Sequence, residues 1–140
     1  MVPNWLTFVN HTADEYIEVT AENYARIFER AAWAMFSILT DMHTVRDTET
    51  WTVNVAADDR EALLVRWLSE LNVLHQLRHI VLARFTVRQV SNTALKARVH
   101  GEAIDPERHC ILTEIKAVTY HGLQIKPRGD HLVARIMFDL

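Results

Sequence analysis

The sequence predicts an α+β domain, a two-layer sandwich in which an antiparallel or mixed sheet carries two main helices packed on one face. Two stretches repeat apolar residues every three or four positions, as amphipathic helices do. Several other stretches alternate apolar and polar residues between short polar turns, which is typical of half-buried strands. The 140 residues suit one domain, 1–140, with no internal linker.

The first half of the chain predicts two short strands, at residues 5–10 and 16–19, followed by a helix. Thr20 is a good N-cap for this helix, which we expect to run to about Leu39. Its apolar residues share one face at helical spacing: Tyr24, Ile27, Phe28, Ala31, Met35, Phe36 and Leu39. The polar stretch 41–50 then reads as a loop.

A strand at 51–55 leads to the second helix, for which Asp58 and Glu61 form a capping box. This helix ends near His75, in a turn that we expect to be solvated. Its core-facing stripe consists of Leu64, Trp67, Leu68, Leu71 and Leu74.

The last third predicts a hairpin at 84–88 and 95–99, and a strand at 115–120 that ends at His121 and Gly122. A turn at 127–130 precedes the final strand, 132–139. The apolar face of that strand carries Leu132, Ala134, Ile136 and Phe138, so Asp139 points to the other face.

Composition and charge exclude several classes of protein. The hydrophobic fraction of 49% with 24% charged residues is that of a soluble globular domain. The net charge of −3 disfavours an autonomous nucleic-acid binder. No apolar run approaches a membrane span of about 20 residues, and no signal-peptide pattern occurs, so we expect no membrane partner. The single Cys110 suits a reducing compartment and predicts a cytoplasmic protein.

Acidic groups at the two ends of the chain are candidate ligands for a hard cation. Asp139 is followed by the terminal carboxylate of Leu140, and two such anions close together favour a cation between them. Asp14 lies between the first two strands, and a sheet that pairs the first and last strands would bring it to the same edge. Carboxylate oxygens suit Ca²⁺ or Mg²⁺ better than zinc.

Other polar residues leave alternatives open. The histidines His11, His109 and His121 lie in or beside polar turns, but they lack the short fixed spacing of a zinc site. Cys110 reads as a small semi-buried thiol. The polar faces of the hairpin carry Arg84, Arg88, Lys96 and Arg98, which form either a solvated sheet face or a basic strip that meets RNA or an acidic partner.

Several motifs in the right order resemble the archease family over nearly the whole chain. The most specific is the string from Lys116 to Leu123, Lys-Ala-Val-Thr-Tyr-His-Gly-Leu. His11-Thr12-Ala13-Asp14 and the ending Phe138-Asp139-Leu140 add to it. The remaining motifs are Leu39-Thr40-Asp41, Leu64 to Leu71, Gly101-Glu102 and Glu107-Arg108-His109.

The resemblance implies a protein cofactor rather than an enzyme, with no catalytic residues of its own. Archeases assist the RtcB-type RNA ligase of tRNA splicing and RNA repair: they promote its guanylylation and its multiple turnover. The protein would then contact RNA only indirectly, through the ligase. Whether it forms a homo-oligomer is left open.

The family's functional residues carry over onto this chain by motif. The metal site maps onto Asp14, Asp139 and Leu140, with Ca²⁺ expected first and Mg²⁺ or Mn²⁺ as alternatives. Lys116 is expected to face the ligase or its nucleotide, and so are His11, Glu102 and His121.

The chain departs from the family pattern at two positions. Asn10 stands where the family usually has Asp, and Tyr16 where a small residue is common. Loss of one carboxylate beside the site would weaken metal binding or relax the choice of metal.

Two other functions compete with ligase activation. One is a chaperone or specificity partner of a tRNA methyltransferase, a role to which the family has also been linked. The other is a metal-dependent phosphoesterase that uses Asp14, Glu102, Asp105 and the histidines.

Overall fold

The computed structural model describes residues 2–10 and 14–140. The strands are β1 (Leu6–Asn10), β2 (Asp14–Ala21), β3 (Glu49–Ala56), β4 (Ile80–Val90), β5 (Ala94–Ala103), β6 (Ala117–Arg128) and β7 (His131–Asp139). The helices are α1 (Tyr24–Leu39) and α2 (Arg60–Arg78), with a short 3-10 helix at Met42–Thr44. The predicted α+β class is thereby confirmed. None of the described helices is long and apolar enough to cross a membrane.

The strands form two antiparallel sheets. The first has four strands in the order β1-β2-β7-β6, and the second has three in the order β3-β5-β4. Helix α1 contacts β2 and β7 of the first sheet and β4 of the second, and α2 contacts β6 as well as the second sheet. Both helices therefore contribute to one core shared by the two sheets.

Helix α1 begins later than the sequence predicts. Its N-cap is Asn23, whose side-chain oxygen accepts a hydrogen bond from the Arg26 N–H at 2.8 Å. Thr20 is not the cap, because Thr20 and Ala21 continue β2 and pair with Val133 and Leu132. Strand pairing thus uses the backbone groups that the earlier cap would have required.

Helix α2 begins one residue later and ends three residues later than predicted. Asp59, not Asp58, is its N-cap and accepts from the Ala62 N–H at 2.8 Å. His79 ends the helix in the left-handed region, with φ of 53°. The prediction of a solvated His75 is wrong: His75 is buried, and its Nδ1 donates to the Ile80 carbonyl at 2.7 Å.

Trp67 joins the two helices. It is fully buried, as its place in the apolar stripe of α2 predicts. Its Nε1 donates to the Phe28 carbonyl of α1 at 2.9 Å, so the indole supplies both packing and a buried hydrogen bond.

Gly101 allows a close approach between β4 and β5. The register between these strands shifts between Leu82 and Arg84, which makes a β-bulge. A Cβ atom at position 101 would lie 1.9 Å from the Val81 carbonyl oxygen, so no larger residue fits without moving β4.

Strand β6 is longer than predicted and irregular. It does not end at His121 and Gly122: pairing with β7 is interrupted between Thr119 and Gln124 and then resumes. Gly122 has φ of +70°, and a Cβ there would lie 3.2 Å from the Tyr16 hydroxyl. The strand borders the first sheet, and its last residues, Lys126 to Arg128 with Pro127 between them, are exposed.

Removal of the Trp67 indole should destabilise the fold strongly. Trp67→Ala leaves a large cavity and an unpaired Phe28 carbonyl, and we expect the free energy of unfolding to fall by about 3–5 kcal/mol. Leu77→Ala is the matched control on the same helix, because Leu77 is 73% exposed and its loss should change stability by less than about 0.5 kcal/mol. Urea denaturation measures both, and equal losses would show that the core position of Trp67 is misassigned.

Candidate functional site

The start of β2 and the end of β7 meet at one end of the first sheet. Strand β2 pairs with β7 so that Asp14 lies opposite Asp139, and on the other side of β7 Ala117 lies opposite Asp139. Paired Cα atoms of antiparallel strands are about 4.5–5.5 Å apart. The sequence predicted this edge from pairing of the first and last strands; the last strand instead pairs with the second, β2, and this register brings Asp14 and Asp139 to the same edge.

Lys116 is fixed at the same place by the backbone. Its N–H donates to the Asp139 carbonyl at 2.8 Å, and its side chain is exposed. Asp139 is half-buried and follows the fully buried Phe138, so the alternation of β7 turns it away from the core, as predicted. A lysine and two aspartates therefore occupy neighbouring positions on three strands or their ends.

Leu140 and Glu15 lie beside a groove on the core side of the sheet. This cavity of about 420 Å³ is also lined by Phe8 and Thr113. Glu15 pairs with Phe138, and burial raises the pKa of its carboxyl group. Leu140 is half-buried at the end of β7.

His121 lies in the irregular part of β6. It is exposed, and its N–H donates to the Thr119 hydroxyl at 3.1 Å, while Thr119 pairs with Met137 two residues before Asp139. His11 lies outside the described residues. Within residues 2–10 and 14–140, no three His, Cys, Asp or Glu residues are placed to hold a metal ion. The predicted metal site does not require three such side chains, because its ligands are Asp14, Asp139 and the main-chain carboxylate of Leu140.

Glu102 is buried and fully hydrogen-bonded. Both of its carboxylate oxygens accept from the Arg108 guanidinium, at 2.6 and 2.7 Å. The Arg46 N–H and His109 Nε2 donate to the same carboxylate at 2.7 and 2.9 Å. We call Glu102, Arg108, His109 and the Arg46 backbone the Glu102 cluster.

His109 is held in one neutral tautomer. Its Nδ1 accepts a hydrogen bond from the Asp105 N–H at 2.9 Å, so the proton of the neutral ring is on Nε2, which donates to Glu102. The ring is buried. With both nitrogens engaged, His109 is not available as a base for Cys110. The thiol itself is exposed, so the prediction of a semi-buried Cys110 is wrong.

The electrostatics of the Glu102 cluster favour the ionised carboxylate. The hydrogen bonds from Arg108 lower the pKa of Glu102 to about 2, against the opposing effect of burial. Arg108 also donates to the Thr44 carbonyl at 2.8 Å, which ties the 104–116 loop to the segment after α1. Glu102 therefore positions the loop, and its contact with a ligase or nucleotide stays a prediction.

Helix α2 holds the other end of this loop. Asn72 and Gln76 donate side-chain N–H groups to the Ile115 carbonyl at 2.9 and 3.1 Å. Ile115 is fully buried, directly before Lys116. Asn72 and Gln76 are functional-loop contacts that the spacing of the motifs did not predict, although a polar Asn72 beside the apolar stripe of α2 was a usable signal.

The fold and this site define a class of protein: an α+β sandwich in which β2 pairs with the last strand, β7, and Lys116 lies beside Asp14 and Asp139 in the register. The chain matches the family model described as "Archease protein family" over residues 7–140, and it belongs to that family. The resemblance stated from the motifs is thereby confirmed.

Relatives and solved structures agree over almost the full length. Protein archease of Methanosarcina acetivorans is 35% identical, over 95% of this chain and 94% of that protein. Protein archease of Sulfurisphaera tokodaii is 33% identical, over 95% and 96%. The solution structure of Methanobacterium thermoautotrophicum protein 1598 has a TM-score of 0.84, with 32% identity over 97% of this chain and 99% of that one.

A crystal structure from Thermotoga maritima, described as an archease and possible chaperone, supports the fold alone. It has a TM-score of 0.63 and 23% identity, and the match covers 94% of each chain.

The Glu102 cluster should make stability depend on acid pH. The pKa of Glu102 lies below its ordinary value of 4.5, so its stabilisation is present above about pH 4.5 and is lost as the pH falls towards about 2. Glu102→Gln should lower the free energy of unfolding at neutral pH, and the difference from wild type should shrink across that window. Urea denaturation at several pH values measures the difference.

Glu107→Gln is the control, because Glu107 is exposed on the same loop. The pKa of Asp130 is also lowered, by its hydrogen bond to His131, but this group is common to all three proteins and cancels in the comparison. A difference between Glu102→Gln and wild type that stays constant from neutral pH to pH 2 would contradict the cluster's electrostatic role.

Proposed function

We propose that this protein is a cytoplasmic, non-enzymatic activator of an RtcB-type RNA ligase in tRNA splicing and RNA repair, promoting ligase guanylylation and multiple turnover. The observation that supports it most is the register that pairs Asp14 with Asp139 beside Lys116. Membership of the archease family supports the same function.

The residues at this edge suit a divalent cation. Like charges directly opposite each other on paired strands are destabilising, so two aspartates in register favour a cation. The donors are all oxygens, which favours Ca²⁺, with Mg²⁺ or Mn²⁺ as alternatives. Asp14, Asp139 and the Leu140 carboxylate would hold the ion, which when bound offsets negative charge on phosphate groups.

Lys116 supplies a second positive group whose position the fold fixes. The Asp139 carbonyl binds its N–H, and α2 holds the Ile115 carbonyl just before it. An ammonium group on a fixed backbone can bind a nucleotide phosphate as a point charge. In this proposal His11 and His121 contact the ligase or its nucleotide from the adjoining segments.

A chaperone-type partner of a tRNA methyltransferase is the second candidate. Ile111 and Leu112 are 40% and 62% exposed, and Leu112 lines a groove with Trp33 and Met42. An apolar surface of this kind suits an apolar segment of a client enzyme.

Ion binding should depend on all three proposed ligands. In calorimetric titration with Ca²⁺, Asp14→Asn, Asp139→Asn and a form extended beyond Leu140 should each bind at least tenfold more weakly than wild type, because each loses a charged oxygen ligand. Asp130→Asn is the matched control, since it removes an exposed aspartate at the opposite end of β7. Equal affinities in all five proteins would exclude a shared site.

Ligase stimulation should depend on Lys116. At a substoichiometric ratio the protein should raise the turnover of its ligase, and Lys116→Ala should reduce that stimulation about tenfold or more, as loss of a charge-assisted hydrogen bond implies. Lys126→Ala is the matched control: it removes an exposed lysine near the far end of β6, away from Asp139, and should leave stimulation unchanged.

Two results would contradict the activator. One is phosphoesterase activity of the protein alone that is lost in Asp14→Asn. The other is a ligase turnover that the protein does not change while it keeps a tRNA methyltransferase soluble, which would favour the chaperone.

A further inference from the structure

A second cluster of aromatic and charged side chains lies at the other end of the first sheet. A cleft of about 260 Å³ opens between α1 and β4, and Trp5, Trp33, Arg26, Arg30 and Arg84 line it. Trp5 directly precedes β1, and its carbonyl accepts from the Thr20 N–H at 3.0 Å, near the end of β2. Asp14 begins β2, so the length of the β1-β2 hairpin separates the cleft from the candidate metal site.

Two indoles and one guanidinium form the floor of this cleft. The rings of Trp5 and Trp33 meet edge to face, with centroids 5.5 Å apart and an angle of 75°. The Arg30 guanidinium lies 5.1 Å from the centre of the Trp5 ring and donates to the Thr20 carbonyl at 2.6 Å. Both indoles are half-buried, so their position is fixed while part of each surface stays open.

Two exposed arginines stand at the rim. The side chains of Arg26 and Arg84 are 54% and 57% exposed, and they pair with Glu29 at 3.4 Å and with Asp47 at 2.8 Å. The Arg84–Asp47 pair is exposed on both sides and therefore weak, so a phosphate group can replace Asp47, whereas Glu29 is only 19% exposed and keeps its place beside Arg26. Glu29 is also bound by the Val87 N–H at 2.9 Å, which leaves its carboxylate committed to β4.

The positive charge continues from the rim across the second sheet. In the strand register Arg84 lies opposite His100 of β5. Arg98 and Lys96 follow at alternate positions of β5 and are exposed, on the face away from the buried Ala97 and Leu95. Burial lowers the pKa of His100, and the charges of Arg84 and Arg98 lower it further. This face is the basic strip for which the sequence analysis left RNA or an acidic partner open.

We propose that the cleft binds an unpaired nucleotide of single-stranded RNA. The base packs on Trp5 and Trp33, phosphates bind Arg26 and Arg84, and the strand continues over Arg98 and Lys96. An aromatic floor beside a cationic strip favours RNA over an acidic protein, because every base presents a stacking face whereas a carboxylate uses only the charges. The cleft lies just below the range of about 300–1,000 Å³ for drug-sized ligands, which suits one nucleobase.

The net charge of −3 limits the affinity but not the location of binding. We expect a dissociation constant between about 10⁻⁴ and 10⁻⁶ M, typical of sequence-independent binding. Such affinity fits a protein that touches RNA while a larger partner carries the main contact. The proposal goes beyond ligase activation and does not require it.

Fluorescence anisotropy with a labelled single-stranded RNA of about ten nucleotides tests the proposal. The double variant Arg26→Gln/Arg84→Gln should bind at least tenfold more weakly, and the slope of log affinity against log salt should fall by about 1.4. The matched control Lys126→Gln/Arg128→Gln makes the same change of charge at exposed positions of β6 and should bind like wild type. Trp33→Leu should weaken binding about fivefold, with folding checked by circular dichroism.

Three competitors identify the ligand. If uridine monophosphate displaces the labelled RNA, and does so less well in the Arg26→Gln/Arg84→Gln variant, the cleft is a nucleotide site and free nucleotides are one source of its ligand. If only an unlabelled RNA strand displaces the labelled RNA, the ligand is the strand. The proposal is overturned if a blunt RNA duplex binds with the same affinity as the single strand. It is also overturned if polyglutamate displaces the labelled RNA and this displacement depends on Arg26 and Arg84 in the same way. Equal weakening by the control variant also overturns it. None of these results depends on stimulation of the ligase.

Discussion

The antiparallel pairing of β2 with β7 is the constraint on which the rest of the structure depends. Ile17, Val19, Ala134, Ile136 and Phe138 are buried on one face of this pair, against the core that α1 completes. A slip of one residue would turn this entire apolar set outward and bring charged neighbours into the core. Hydrophobic burial along the pair therefore fixes the register at its far end, where the candidate metal ligands lie.

The loop that carries Lys116 into this site is held at both ends by hydrogen bonds rather than by packing alone. The Glu102 cluster holds its start, and the side chains of Asn72 and Gln76 hold the carbonyl at its end. A backbone fixed in advance favours binding by the charged group that it carries, because less order has to be created when a ligand binds. Several polar residues of the stretch 101–116 thus hold the loop that ends at Lys116.

Local periodicity predicted those parts of the structure whose neighbours are local. The alternation of β7 placed Asp139 correctly, and the stripe of α2 placed Trp67 in the core. The helix starts were misplaced because polar residues follow one another before each helix. For α1, strand pairing of Thr20 and Ala21 excludes the earlier cap. The cleft between α1 and β4 could not be predicted from spacing, since it joins Trp5, residues of α1 and residues of β4, which are far apart in the chain.

The irregular β6 strand has a consequence for how copies of the protein behave at high concentration. A bordering strand with free backbone groups is a template for adding another chain, and many proteins aggregate by that route. Here the register break interrupts the ladder, Pro127 lacks an N–H to donate, and Lys126 and Arg128 would meet like charges on a second copy. This border therefore resists strand addition by a second copy, although the residues beside it lie in an extended strand.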